Sequence, residues 1–504
     1  MTESVPPLSS DQTSSPGNSL PARVGLIVGP LSALLIGLGP QWGWTFDADQ
    51  PQLNGMAAVT MLMAVWWMTE AVPLAATALL PLLMFPLLGI MSGSDVAQQY
   101  GHRLIFLFLG GFLVALAVER SGLHRRIALR IVQAMGDGPR PVVLGFMVAT
   151  AVLSMWLSNT ATTVMMLPLA MSIIAQAERH AEHPETVHRF AVCLLLAVAY
   201  SASIGGVGTL IGTPTNVAMA AFWEKTYGEP AYSFTEWMAI AVPTATVMLI
   251  AAWTLLVYAI FPLGKTRFLG GRQMIAAELK SLGPMSSAER RTLLVFATTA
   301  LLWVFREPGK DWGWGPLLTG QYEPGDETVA ILMAIVCFVI PSGKATGDRL
   351  LDWNAIRQVP WGILILFGGG LALASGMKAA GLDHYLGDVL ASNLSGVSHP
   401  GMVAITAAGM TTLTELTSNM ASLQMILPVL SEAAQRLQIE PQLLMLPATL
   451  AASFAFMLPV ATPPNAIVFG SGRLRIADMI RAGIWLNLLG VVVVVGTLMV
   501  LGYS

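Results

Sequence analysis

The sequence predicts an all-α polytopic membrane protein built from two inverted repeats, each carrying a re-entrant hairpin. Three observations predict it. Of the 504 residues, 55% are hydrophobic and 11% charged, whereas a soluble globular chain carries about 25% charged residues. Apolar runs approaching the ~20 residues that a helix needs to cross a bilayer recur from Val24 to the C-terminus. Three segments also return in the same order later in the chain, as an internal duplication does. Mean hydropathy is +0.66, in keeping with burial in lipid.

The elements follow from the amino terminus. Residues 1–22 are polar and rich in Ser and Pro, without the basic start and short apolar core of a signal peptide. They are expected to form a disordered cytoplasmic tail. A first membrane helix falls in 23–53, its apolar run spanning Val24 to Trp44. The first repeat, 54–263, has apolar runs at 54–70, 72–91 and 103–120, then an amphipathic piece at 122–135. A hairpin at 140–177 and runs at 189–223 and 236–262 complete it. A charged linker, 264–289, leads to the second repeat, 290–504. Its runs lie at 290–305, 328–341 and 361–379, followed by an amphipathic piece at 383–393, a hairpin at 401–436, and runs at 441–470 and 477–502.

With both hairpins entering and leaving on one side, the chain has 11 expected crossings. With the N-terminus in the cytoplasm and the C-terminus outside, 20 of the 26 Lys and Arg residues lie inside. Outside remain Arg103, Lys225, Arg306, Lys310, Lys378 and Arg436. This is the positive-inside bias. Turning either hairpin into a full crossing would flip every later loop and weaken it. A net charge of −3 gives no basic surface for nucleic acid. Cys193 and Cys337 sit in separate apolar runs and read as small apolar residues.

The duplication is specific. "LGGFLVALAVERSGLH" (109–124) resembles "GGGLALASGMKAAGLDH" (368–384). "LSNTATTVMMLP" (157–168) matches "TSNMASLQMILP" (417–428), and "GTPTNVAM" (212–219) matches "ATPPNAIV" (461–468). Five crossings per unit turn the second copy upside down. Inverted repeats with paired broken helices mark secondary transporters, with the site at the repeat interface.

The last two pairs interrupt apolar runs with polar residues and prolines. Proline cannot sit in a helix interior, and non-helical backbone at membrane depth survives only where protein or water covers it. Each break exposes carbonyls on one side and a helix N-terminus on the other. Carbonyl, hydroxyl and amide oxygens suit a hard cation such as sodium. Free N–H groups at helix N-termini suit an anion. The four knots contain no Arg, Lys, Asp or His, so bound cations and N–H dipoles would have to balance the anion. That arrangement favours cation-coupled transport.

Other features carry less. Glu70 and Glu415 are acids in apolar runs, and such residues are functional candidates by default. Glu70 lies near a helix end, which suits a structural role, while Glu415 adjoins a knot that it could tune. His180, His183 and His188 fall in a cytoplasmic loop and read as solvated. "GGVGTLIG" (205–212) lacks the Lys of a phosphate loop. The pieces 122–135 and 383–393 read as interfacial helices joining a moving part to a fixed one. No nucleophile with a base and no metal cluster appears at membrane depth, which argues against an enzyme. A channel would not need paired hairpins.

"WWMTEAVPLAATALLPLLMFPLLGI" (66–90), the two Ser-Asn tips and the paired "TPTN" and "TPPN" loops resemble, in order and spacing, the divalent anion:sodium symporter family of INDY-like carboxylate transporters. The resemblance covers the chain from Val24 onward. It implies a dimerising scaffold domain, a transport domain moving as an elevator, and sodium ions as coupling ions with no organic cofactor. It also implies a homodimer in the bacterial cytoplasmic membrane. Carried over by motif, a first sodium site would use Ser154, Ser158, Asn159 and Gly212, and a second Thr414, Thr417, Asn419 and Ala461. Substrate carboxylates would meet Asn159 and Thr160 at one tip and Ser418 and Asn419 at the other, with Thr213, Thr462 and Pro463 lining the walls. The implied activity is sodium symport of C4-dicarboxylates such as succinate, malate and fumarate. Dicarboxylate exchange is the alternative. Met420 departs from the family pattern, which has Thr in that place. It offers a carboxylate no side-chain hydrogen bond, which leaves sulfate or citrate open as other divalent anions.

Overall fold

The computed structural model of this chain describes residues 19–47, 50–179, 184–228, 232–264, 271–307, 313–317, 324–343 and 347–503. The expected tail lies outside the described residues up to 18, as do 265–270 of the linker. Among the described residues the fold is helical throughout, with a single isolated bridge between Pro341 and Arg349.

The principal helices are α1 Leu20–Gly37, α2 Pro51–Thr69, α3 Leu80–Leu87, α4 Arg103–Ser121 and α5 Leu123–Met135. Next come α6 Pro139–Ser154, α7 Asn159–Arg179, α8 Pro184–Gly206, α9 Pro214–Tyr227 and α10 Phe234–Thr254. The linker contributes α11 Gly271–Ser281. The second half has α12 Ser287–Val304, α13 Asp326–Val339, α14 Trp361–Ala380, α15 Leu382–Leu394 and α16 His399–Thr414. It ends with α17 Asn419–Leu437, α18 Gln442–Ala451, α19 Pro463–Phe469 and α20 Ile476–Val500. From α4 to α10 each helix has its counterpart ten places on.

The duplication extends to backbone detail. α4 ends on Gly122 with φ 80°, and α14 ends on Gly381 with φ 77°. This left-handed conformation favours glycine. It turns the chain abruptly into α5 and α15, helices of 13 residues each. Deeper in the same two helices, glycines bring backbones together. A Cβ on Gly110 would lie 2.6 Å from the carbonyl carbon of Ala330, and one on Gly369 would lie 2.4 Å from the carbonyl oxygen of Ala78. The next glycine in each helix meets something different. Gly111 faces the side chain of Ile211, and Gly370 faces that of Gln424.

Helix α8 is the centre of the molecule. Every residue from Phe190 to Gly206 is buried, as befits a helix that is apolar all round. Hairpin helices α6 and α7 pack on it, and α16 packs correspondingly on α18. The two halves also cross: α7 contacts α19, and α17 contacts α9. Helix α1 lies at the periphery against α2 and exposes Val24, Ile27, Leu31, Leu34 and Leu35.

Among the described residues, seven helices are long and apolar enough to cross a membrane. Six coincide with expected crossings, and the seventh, α7, is an arm of the expected hairpin. The other five expected crossings fall on helices that are shorter, broken or less apolar, so length and apolarity do not establish the count of 11.

Candidate functional site

The four polar knots form four helix starts. Met155–Ser158 turns α6 into α7, and Glu415–Ser418 turns α16 into α17. Irregular backbone over 207–213 separates α8 from α9, and 452–462 separates α18 from α19. Proline follows Thr213 and Thr462 at the first helical position, where its missing N–H costs nothing. The two irregular segments lie near one another across the repeat boundary. Thr215 Oγ1 is 3.4 Å from Ser453 Oγ, and the Tyr200 ring stacks edge-on to Phe456 at 5.0 Å.

Ser154, Asn159 and Gly212 of the first candidate cation set gather around Gly206. Ser154 Oγ lies 2.6 Å from Asn159 Oδ1 and 2.7 Å from the Ala202 carbonyl oxygen. A hydroxyl has one proton to donate, so three oxygens share one hydrogen. Asn159 also lies against Gly206, where a Cβ would come within 2.4 Å of Oδ1. A Cβ on Gly212 would sit 2.3 Å from the Gly206 carbonyl oxygen. Ser158 is engaged elsewhere, since its Oγ accepts the Ala161 N–H at 3.2 Å and caps α7. Thr160 is exposed and Thr213 is buried.

The second set is tied differently. Thr414 donates back into its own helix, to the Thr411 carbonyl at 3.2 Å. Thr417 donates to the Leu413 carbonyl at 2.7 Å, and its hydroxyl also meets that of Ser422. Asn419 Oδ1 is buried without a hydrogen-bond partner among the described residues. Ala461 is buried, and its N–H donates to Leu458 at 3.2 Å. Ser418 gives α17 no side-chain cap, which leaves first-turn N–H groups free. Met420 is buried in that turn, Thr462 caps α19 by accepting the Asn465 N–H, and Pro463 is exposed.

Two residues quoted within the sequence motifs, but given no role there, organise both breaks. Asn216 Nδ2 reaches the carbonyls of Gly206, Val207 and Thr209 at 3.1, 3.1 and 2.7 Å. Asn465 Nδ2 reaches those of Ala455 and Leu458 at 3.2 and 3.0 Å. Ala455 and Leu458 are the repeat counterparts of Gly206 and Thr209. In both asparagines Oδ1 is buried and unpartnered among the described residues. The only signal in the sequence was the register of the two residues.

Glu415 joins this group. It is buried, and its carboxylate accepts the N–H groups of Phe456, Met457 and Leu458 at 2.7, 2.9 and 3.1 Å, with the Asn487 amide at 2.7 Å. Glu70 is the exposed C-terminal cap of α2, at φ 49°. His188 is exposed, and His180 and His183 lie outside the described residues. Asp383, His384 and Glu432 cluster closely enough to suggest a metal. However, Arg436 already binds Glu432 at 2.9 Å and Asp388 at 3.0 Å, so the cluster is an ion-pair network.

A family model, the sodium:sulfate symporter transmembrane region, matches residues 50–503. The chain belongs to the sodium:sulfate symporter family. The resemblance of its motifs to divalent anion:sodium symporters is thereby borne out. Among relatives of this symporter is the sodium-dependent dicarboxylate transporter SdcS of Staphylococcus saprophyticus. It is 42% identical over 479 residues, covering 94% of this chain and 90% of the relative. SdcS of Staphylococcus aureus is 40% identical over 482 residues, covering 94% and 89%. Among solved structures, the YdaH transporter of Alcanivorax borkumensis aligns with a TM-score of 0.55 at 16% identity, over 88% of this symporter and 99% of that chain. At that identity the likeness speaks for the fold alone, and it agrees with the all-helical architecture.

Proposed function

We propose that this protein is a sodium-coupled importer of C4-dicarboxylates, resident as a homodimer in the cytoplasmic membrane and working by an elevator movement. The observation that carries the reading is the oxygen cluster of Ser154, Asn159 and the Ala202 carbonyl, with one proton among three oxygens. A hard cation satisfies such a cluster better than water does. The names of the staphylococcal relatives supply the substrate class and the ion.

Sodium bound beside Asn159 would fix the side chain that also faces the anion. Sodium at the second tip would do the same through Asn419. The carboxylates would lie against the starts of α7 and α17, where helix N-termini favour negative charge. No basic side chain lies in either tip, so anion affinity depends on prior cation binding. That dependence is the coupling.

Ion pairs support the expected topology by joining residues assigned to one side. Arg103 bridges Glu224 at 2.7 Å and Glu327 at 2.9 Å, and Arg306 binds Asp326 at 2.6 Å. All of these are assigned outside. Arg120 with Asp352, Arg125 with Glu278, Arg126 with Glu289, and Arg473 with Glu178 are all assigned to the cytoplasmic face. The ion pairs group the residues by face, and the excess of Lys and Arg on one face is our reason for placing the N-terminus in the cytoplasm and the C-terminus outside.

The test is uptake of labelled succinate into proteoliposomes. An inward sodium gradient is expected to drive accumulation, and Asn159→Ala to abolish both uptake and its sodium dependence. Uptake indifferent to the gradient but driven by internal dicarboxylate would establish exchange instead. The buried apolar Met420, in place of a hydroxyl, makes sulfate and citrate the competitors to include. Inhibition by either that exceeds inhibition by unlabelled malate would reassign the substrate.

A further inference from the structure

The two hairpin tips are fastened to their broken helices by different chemistry. In the first repeat, Thr209 Oγ1 donates to the Met155 carbonyl, a neutral bond. The counterparts of Met155 and Thr209 in the second repeat are Glu415 and Leu458. There the same junction is made by a carboxylate, which accepts three consecutive backbone N–H groups and the Asn487 amide. Every one of these donors is neutral. Among the described residues no Lys, Arg or His forms an ion pair with Glu415, which is only 5% exposed.

A buried charge is costly unless an opposite charge accompanies it. Here four hydrogen bonds solvate the carboxylate without neutralising it. The elements it joins are those that would supply the second cation's ligands. Thr414 precedes it directly, and Ala461 lies three residues beyond Leu458. We propose that Glu415 is a positioning residue for the second cation site and the reason its affinity exceeds that of the first. The carboxylate holds 456–458 against the hairpin tip, so that ligands from both elements face one ion. Its charge then favours that ion, an advantage the first site lacks with Met155. The proposal rests on the two-site reading above, and it adds an order of filling, with the second site loading before the first.

Sodium binding to the purified full-length protein, without substrate, tests this. Wild type is expected to titrate in two phases with half-saturation points at least about ten-fold apart. Glu415→Gln keeps the shape and removes the charge, and is expected to raise the lower half-saturation point by about ten-fold or more. Glu415→Asp keeps the charge and should stay within about three-fold of wild type. Equal shifts in the Gln and Asp variants, or none in Gln, overturn the proposal and leave the two-site reading standing. If Glu415→Gln does not fold, the wild-type titration decides alone, and a single phase overturns it. A wild type that does not respond to sodium removes the two-site reading, and this proposal with it.

Discussion

At the scale of single residues, the paired asparagines show how a broken helix keeps its shape. Asn216 has two N–H hydrogens and three carbonyls within reach. Its amide therefore stands in for the helical hydrogen bonds that the break removes. Asn465 does the same for the second repeat. Replacing either with Asp keeps the volume but turns the donor into an acceptor facing carbonyls. Buried carbonyls left unsatisfied cost about 1–3 kcal/mol each. Asn216→Asp and Asn465→Asp should each lower uptake at least about ten-fold and raise the sodium concentration for half-maximal transport, as measured in proteoliposomes. Uptake near the wild-type level would show that the breaks hold themselves. The sequence made the two asparagines visible through their register, because both motifs end in Asn. What they do was not legible, because it depends on which carbonyls the irregular segments turn toward them. Glu415 was hidden for a related reason: its partners lie 41 to 72 residues further along the chain.

Whole elements were easier to read. Polar knots inside apolar runs located both hairpin turns, since a turn needs hydroxyls, amides or proline where a spanning helix needs none of them. Amphipathic patterning similarly located α5 and α15, expected at 122–135 and 383–393. The attachment of α5 to the linker was not readable. Arg126 is buried, binds Glu289 at 2.7 Å and donates to the Gly283 carbonyl at 3.0 Å. Glu289 is the capping-box residue of α12, with its carboxylate accepting the Ser286 N–H at 2.7 Å. One guanidinium thus ties the amphipathic helix to the entry of the second repeat. Burial alone would raise the Glu289 carboxyl, but the bonds from Arg126 and Ser286 outweigh it and hold it below the ordinary 4.5. A carboxyl depressed in the folded state contributes stability above its unfolded value and loses it as pH falls through its folded value. The wild-type melting temperature should therefore fall as pH drops from about 5 through the range below 4.5, and Glu289→Gln should flatten that part of the profile. Arg126→Met, which strands the carboxylate, should cost about 3–5 kcal/mol at neutral pH. Parallel pH profiles for wild type and Glu289→Gln would locate the acid sensitivity elsewhere.

For the molecule as a whole, the duplication is close in sequence and backbone but unequal in packing, and the inequality is informative. Gly111 and Gly370 occupy equivalent places, yet one meets Ile211 beside a broken helix and the other meets Gln424 in a hairpin arm. The counterpart of Ile211 is Val460, 73% exposed, and the counterpart of Gln424 is Val164, 54% exposed. Two apolar side chains thus stand free at the places where their partners in the other half are buried. Trading the roles of the halves gives each a destination: Val164 against Gly111, and Val460 against Gly370. Under the elevator movement proposed above, that exchange would be a second packing, with the moving domain at the opposite face and the site open to the other side. Cysteines at Gly111 and Val164 should form a disulfide on oxidation only while the protein is cycling, halting uptake until a reductant restores it. No cross-link in actively transporting protein would mean that the halves do not trade places. With the link in place, the outward and inward forms become a single molecule read in two directions.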